Sequence, residues 1–183
     1  MPLGELIRGR IGRQQLRGEA FAGRVRRLAS RHRIMKEITH YQLEHAIDVH
    51  VSRTFAWNWR TDVRNWDDPP AQFRLEGPFV EGTWGTTLLP GQEPVRWQIR
   101  ELRPEQSFVL EMPLDGATLS FEWRFEIVSD RRTRVTQRIV LTGDNSAAFA
   151  TQVQAGFEPN LASGMQRIAT AMEAAVASSS LTH

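Results

Sequence analysis

Ten residues, TLSFEWRFEI from Thr118 to Ile127, alternate without a break. Leu119, Phe121, Trp123, Phe125 and Ile127 share one parity, and Thr118, Ser120, Glu122, Arg124 and Glu126 share the other. Side chains along a strand point to opposite faces in turn, so the pattern predicts a strand with one apolar and one wet face. A face that bulky needs a cover. Whether the space beneath the cover is filled core or a pocket then becomes the functional question.

The same period recurs along the chain. A strand from Tyr41 to Val51 puts Ile47, Val49 and Val51 on one face. Phe73 and Leu75 mark a second, and the turn-rich GPFVEGTWG, Gly77 to Gly85, leads into a third at TWGTTLL. Beyond the proline–glycine turn of LLPGQEP, Val95, Trp97 and Ile99 alternate with Arg96, Gln98 and Arg100. Phe108, Leu110 and Met112 form a fifth run, the opening stretch is the sixth, and Val135, Gln137, Ile139 and Leu141 form the seventh. Turn signals at Asp115-Gly116 and Ser129-Asp130 separate the last three, as an antiparallel meander requires.

Two segments lose that period. Within Arg53 to Trp66, Phe55, Trp59 and Val63 lie four apart and Trp66 three further on, which predicts one or two short helices. Asp67-Asp68-Pro69-Pro70 ends them, because proline cannot continue a helix. After Gly143, with Asp144 or Asn145 as N-cap, Phe149, Val153, Phe157, Leu161, Met165, Ile168 and Met172 recur every three or four residues. They predict one long helix, bent at Gly156 and Pro159. The class is α+β: a seven-stranded curved antiparallel sheet around a long C-terminal helix, with two short helices after strand 1. A helix is only ~10 Å across, narrower than seven twisted strands, so a gap between sheet and helix is natural.

Charge divides the chain unevenly. Residues 1–34 hold nine arginines and two glutamates, net +7, whereas 35–183 hold 14 basic and 19 acidic residues, net −5. The body is therefore not built as a nucleic-acid surface, and no nucleic-acid partner is expected. Residues 1–34 are expected to be a basic, disordered N-terminal extension to a single domain at 35–183, with Met35 a plausible start. The alternative is a basic amphipathic helix at an anionic membrane, given Leu3, Ile7 and Ile11 at i, i+4 and i+8. No run approaches the ~18 apolar residues of a membrane span. The absence of cysteine excludes disulfides and thiolate chemistry and permits a reducing compartment, so a cytoplasmic location is expected. Arginine outnumbers lysine 22 to 1, the codon-bias signature of a GC-rich bacterium.

Four stretches carry a resemblance: WNWRTDVRNW at 57–66, LEGPFVEGTWG at 75–85, TRVTQRIVLTG at 133–143 and GFEPNLASGMQRIATAME at 156–173. Over roughly residues 42–175 the chain resembles the START-like SRPBCC superfamily, and within it the polyketide cyclase/dehydrase-like group. The resemblance implies a helix-grip fold with a hydrophobic cavity for lipids, polyketides or other aromatic small molecules. It implies no single activity, because members include carriers, cyclases and hydrolases. It also makes GPFVEGTWG a mobile lip of the cavity.

Candidate site residues follow from parity. Trp97, Met112, Phe121, Trp123 and Gln137 point inward from the strands, and Phe157, Leu161 and Met165 from the helix. Phe125 shares the inward row. Most of these serve equally well as plain core. Gln137 is the exception, because a buried amide needs a partner, as does a buried indole N–H. Glu158 and Asn160 are candidates for the mouth. His45, Asp48 and His50 suggest a metal cluster, but His45 shares the face of Ile47 while the other two point away, so no metal is expected. Asp48 and His50 are expected to form a solvated pair. Glu111, Glu122, Arg124, Glu126 and Arg138 lie on the outward parity, where cross-strand pairing is the expected role. No Ser-His-Asp set or phosphate loop is visible, and no cofactor is expected. The interior offers no obvious acid or base. The expected function is binding of a hydrophobic, aromatic or lipid-like small molecule; the alternative is a polyketide cyclase/dehydratase-type enzyme. A protein–protein module with the tail as its contact is a third class.

Overall fold

Residues 39–66 and 70–180 are described by the computed structural model; the 1–34 extension and most of the Asp67–Pro70 stop signal lie outside the described residues. All seven strands are present: β1 (Thr39–Val49), β2 (Gln72–Leu75), β3 (Trp84–Leu88), β4 (Val95–Arg103), β5 (Ser107–Leu114), β6 (Ala117–Ser129) and β7 (Arg132–Thr142). They form one antiparallel sheet in the order β1-β7-β6-β5-β4-β3-β2. Strands β2 to β7 are a meander, and β1 closes against the last of them. Between β1 and β2 lie helix α1 (Arg53–Thr61) and a 3₁₀ turn (Val63–Asn65); α2 (Ala147–Phe157) and α3 (Leu161–Ser180) follow the sheet. Among the described residues no helix is long and apolar enough to cross a membrane.

Register places the inner residues side by side. Trp123 lies opposite Gln137, Phe121 opposite Ile139 and Phe125 opposite Val135 across β6 and β7. On the other flank of β6, Trp123 faces Phe108, Phe121 faces Leu110 and Leu119 faces Met112. These apolar residues are buried: Trp57 of α1 packs on Phe108 and Phe125, and Phe157 of α2 packs on Phe121. Each side chain of that size removed from water contributes about 1.5–3 kcal/mol. The outward row carries the expected charge pairs. Arg138 donates to Glu122 at 3.4 Å and to Gln42 at 2.7 Å, Arg124 reaches Glu44 at 3.1 Å, and Arg100 lies 3.6 Å from Glu111.

Four local expectations need correction. First, β1 stops at Val49 rather than Val51, because the chain turns to let the Ser52 side chain accept the Phe55 N–H and cap α1. Second, the terminal helix is broken rather than bent. Pro159 cannot donate to the ladder and its ring crowds the preceding turn, so α2 and α3 are separate helices joined at residues 158–160. Third, Ser146 is the N-cap of α2, with no side-chain cap bond. The Asn145 amide donates instead to the Asp115 carbonyl at 2.8 Å, tying the helix entry to the β5–β6 turn. Fourth, the inward row of β6 ends at Phe125. Ile127 is 61% exposed, because the β6–β7 hairpin runs on past the region the helices cover.

Trp97 depends on a glycine. It lies opposite Gly85 in the β3–β4 register, with its ring where a Cβ on Gly85 would stand. Any side chain there must push the indole out of its site. Gly85→Ala is therefore expected to destabilise the fold by about 1–3 kcal/mol, the usual cost of overpacking. Urea denaturation followed by tryptophan fluorescence checks this, and the variant's emission should shift as Trp97 moves.

Candidate functional site

Four neighbouring strands contribute one residue each to a row across the inner face. It runs Phe108 on β5, Trp123 on β6, Gln137 on β7 and His45 on β1. The Phe108 and Trp123 rings stack, with centroids 6.2 Å apart at 19°. Helix α1 lies over this row. Its buried residues are Ala56 and Trp57, and Trp57 meets Phe108 and Phe125 edge-on at 5.9 and 5.6 Å. The row of Phe55 and Trp59, read from the sequence as the apolar face, is only half-buried and forms the flank. The inner edge continues from Trp57 to the residue one turn on, Arg60.

The Arg60 guanidinium carbon sits 4.1 Å from the Trp123 ring and 4.3 Å from the Trp66 ring. Trp66 is held there by its indole N–H, which donates to the Arg60 carbonyl at 2.7 Å, and it packs at 5.5 Å on Trp97. Trp97, Trp66, Arg60 and Trp123 thus form a continuous stack. Among the described residues Arg60 takes part in no ion pair. Its Nε is closed off, with no hydrogen-bond partner among the described residues. Burial pushes its pKa down to about 9. The built-in compensation is modest: two cation–π contacts, and the partial negative charge of the α1 C-terminus.

Among the described residues two further polar atoms in the row have no partner, the Trp123 indole N–H and the Gln137 carbonyl oxygen. The expectation that both would be paired is not met. The Trp97 N–H is paired, donating to Thr87 Oγ1 at 3.1 Å. Trp97 is thus satisfied within the protein, while Trp123 and Gln137 keep unpaired polar atoms among the described residues. The Tyr41 hydroxyl, also on the inward parity of β1, likewise has no partner among the described residues. Burial, and secondarily the charge of Glu158, raise its pKa.

Every residue expected at the site is buried: Trp97, Met112, Phe121, Trp123, Gln137, Phe157, Leu161 and Met165. Phe157 meets Phe121 edge-on at 5.3 Å, which brings the α2–α3 junction onto β6. At that junction Glu158 is exposed and accepts from Gln154 at 2.7 Å, and the half-buried Asn160 donates to Gly156 at 3.5 Å. Phe79 of the GPFVEGTWG link packs edge-on to Phe108 at 5.0 Å, fastening that segment to the aromatic stack. His45, Asp48 and His50 diverge. Asp48 pairs with Arg134 and Arg132, each at 2.8 Å, rather than with His50. Hydrogen bonds from Arg134 hold its carboxyl below the usual range. The His50 backbone N–H donates to Glu173 at 2.8 Å, tying the end of β1 to α3.

Sequence reading missed Arg60 and undervalued His45. Arginine counts as a surface residue in any apolar-periodicity scheme, and nothing about its own spacing marks it. The available signal was its surroundings, with tryptophans at 57, 59 and 66.

No family profile matches the sequence, and no curated protein matches it. Solved structures do share its fold. The Zhui aromatase/cyclase from Streptomyces sp. R1128 aligns with a TM-score of 0.58 at 18% identity, over 74% of this chain and 95% of that one. Norcoclaurine synthase from Thalictrum flavum, in complex with dopamine and hydroxybenzaldehyde, aligns with a TM-score of 0.56 at 14% identity, over 85% and 98%. A Thermus thermophilus protein, TTHA0849, aligns at 0.54 and 14%, over 74% and 99%. At these identities the likeness is one of fold, the helix-grip architecture.

Two substitutions test the site's energetics. Among the described residues the Gln137 carbonyl oxygen has no partner, so Gln137→Leu should leave stability unchanged or raise it by up to about 1 kcal/mol in thermal unfolding. Arg60→Met should stabilise by about 1–2 kcal/mol, since loss of an unpaired buried charge outweighs two cation–π contacts. At neutral pH both folded and unfolded chains hold the Arg60 proton, so the burial cost is fully present. As pH rises through about 9 the folded state releases the proton first, and the cost fades. The Arg60→Met gain should accordingly be constant from pH 6 to 8 and shrink above about pH 9, as read by urea unfolding of both proteins.

Proposed function

We propose that this protein binds an aromatic or lipid-like small molecule between the inner face of the sheet and its helical cover. One observation carries the reading: an unpaired donor on Trp123 and an unpaired acceptor on Gln137 lie on register neighbours within an otherwise apolar wall. A fold with no use for these atoms would avoid their cost, about 1–3 kcal/mol each, with apolar residues. An oily surface with a few convergent polar groups is the usual composition of a small-molecule site.

Arg60 adds support. Its environment is dry enough to depress its pKa to about 9, yet the residue keeps accessible surface. Both hold together when the accessible part faces a recess rather than the outer surface. The structural neighbours are consistent in class, since one is an aromatase/cyclase and another was solved with two aromatic small molecules.

A second reading, a cyclase/dehydratase-type enzyme, gains from His45. Its side chain is half-buried on the inward parity, opposite Gln137, and supplies the acid–base group that catalysis needs. The readings part at this residue: a reaction rate lost in His45→Ala with ligand affinity retained favours the enzyme.

The neutral probe N-phenyl-1-naphthylamine should quench tryptophan emission saturably, with a micromolar Kd, and 2-naphthol should displace it. Absence of saturable binding by either compound would overturn the proposal.

A further inference from the structure

We propose that Arg60 anchors an oxyanion subsite, so that the ligand is an amphipathic acid: an apolar body carrying one carboxylate. The inference rests on the apolar-ligand reading above and adds a head group to it.

This chain pairs several of its other arginines with carboxylates. On the outer face Arg100, Arg124, Arg134 and Arg138 each have a carboxylate at 2.8–3.6 Å. Arg60, on the inner side, has none among the described residues, and its Nε is closed off from water. A buried cation without a counter-charge is among the least favourable arrangements a fold can keep. A ligand anion removes that cost on binding.

Geometry limits what the anion can be. Two indole rings lie about 4 Å from the guanidinium carbon, which sits over the face of each. Its N–H groups remain for hydrogen bonds. Nε is closed off, so the edge formed by the two terminal nitrogens is the one a ligand can meet. Two parallel N–H bonds on that edge match the two oxygens of a carboxylate. The Trp123 N–H, on one of the rings that cover Arg60, is a further unpaired donor. A carboxylate has about four lone-pair sites and can serve both. One cation suits one negative charge, which favours a carboxylate over a phosphate dianion. The aromatic wall of Trp66, Trp97 and Phe108 suits the apolar body.

Calorimetry with 2-naphthoate and its neutral isostere 2-naphthamide, at pH 7 and 150 mM salt, tests the proposal. Wild-type protein should bind 2-naphthoate at least tenfold more tightly. Arg60→Met should lose that preference while keeping 2-naphthamide affinity within threefold. Arg60→Lys, which keeps the charge but not the planar fork, should retain part of the preference and serves if the methionine variant does not fold. Equal wild-type affinities for the two compounds would overturn the subsite and leave the apolar-ligand reading intact. A preference that survives in Arg60→Met would do the same, placing the anion elsewhere. If neither compound binds wild type, the apolar-ligand reading has itself failed and takes this inference with it.

Discussion

The pairing of β6 with β7 sets the identity of the inner face. In the observed register Phe121, Trp123 and Phe125 sit beside Ile139, Gln137 and Val135, and all six are buried. A slip of one residue would send one strand's row to solvent and bring Arg134, Arg138 or Glu122 inward. The alternation along β6 and β7 makes that slip prohibitively costly, so the row from Phe108 to His45 follows from the same constraint that builds the sheet. Helix α1 can then add Arg60 only because Trp123 presents a ring at that spot.

The strands were legible because alternation is a local signal with a strong physical cause. Strand number, the inward parity of Trp97, Trp123 and Gln137, and the outward charge pairs all follow from a period of two. Helix boundaries were less legible. Pro159 marks a disturbance in any reading, but whether it bends or divides the helix depends on how Phe157 and Leu161 reach the sheet. Arg60 was not legible at all. Its setting arises from two tryptophans, Trp66 beyond the 3₁₀ turn and Trp123 on β6, and its residue type argues for the surface. His45 was placed on the correct face, yet its value became visible only when Gln137 proved to be its register partner.

Local rules for a stable core give way at two positions. A core chosen for stability alone would place apolar residues at 60 and 137. This chain keeps a guanidinium and an amide there, and leaves a tryptophan N–H unpaired beside them. Such departures from consistency concentrate at functional surfaces. The rest of the core, from Leu119 and Ile139 to Met165 and Met172, follows the rules closely and is shut from water.

The outer arginines have a consequence for behaviour in solution. Arg100, Arg124 and Arg138 and their carboxylates are partly exposed, and mobile ions can enter the space around them. At physiological ionic strength the screening length is ~8 Å and at 1 M it is ~3 Å. Added electrolyte therefore weakens the field of that surface. It scarcely reaches a charge enclosed by Trp66 and Trp123. The same residue type thus occupies two dielectric worlds in one small domain, and ionic strength acts as a filter that silences the outer one first.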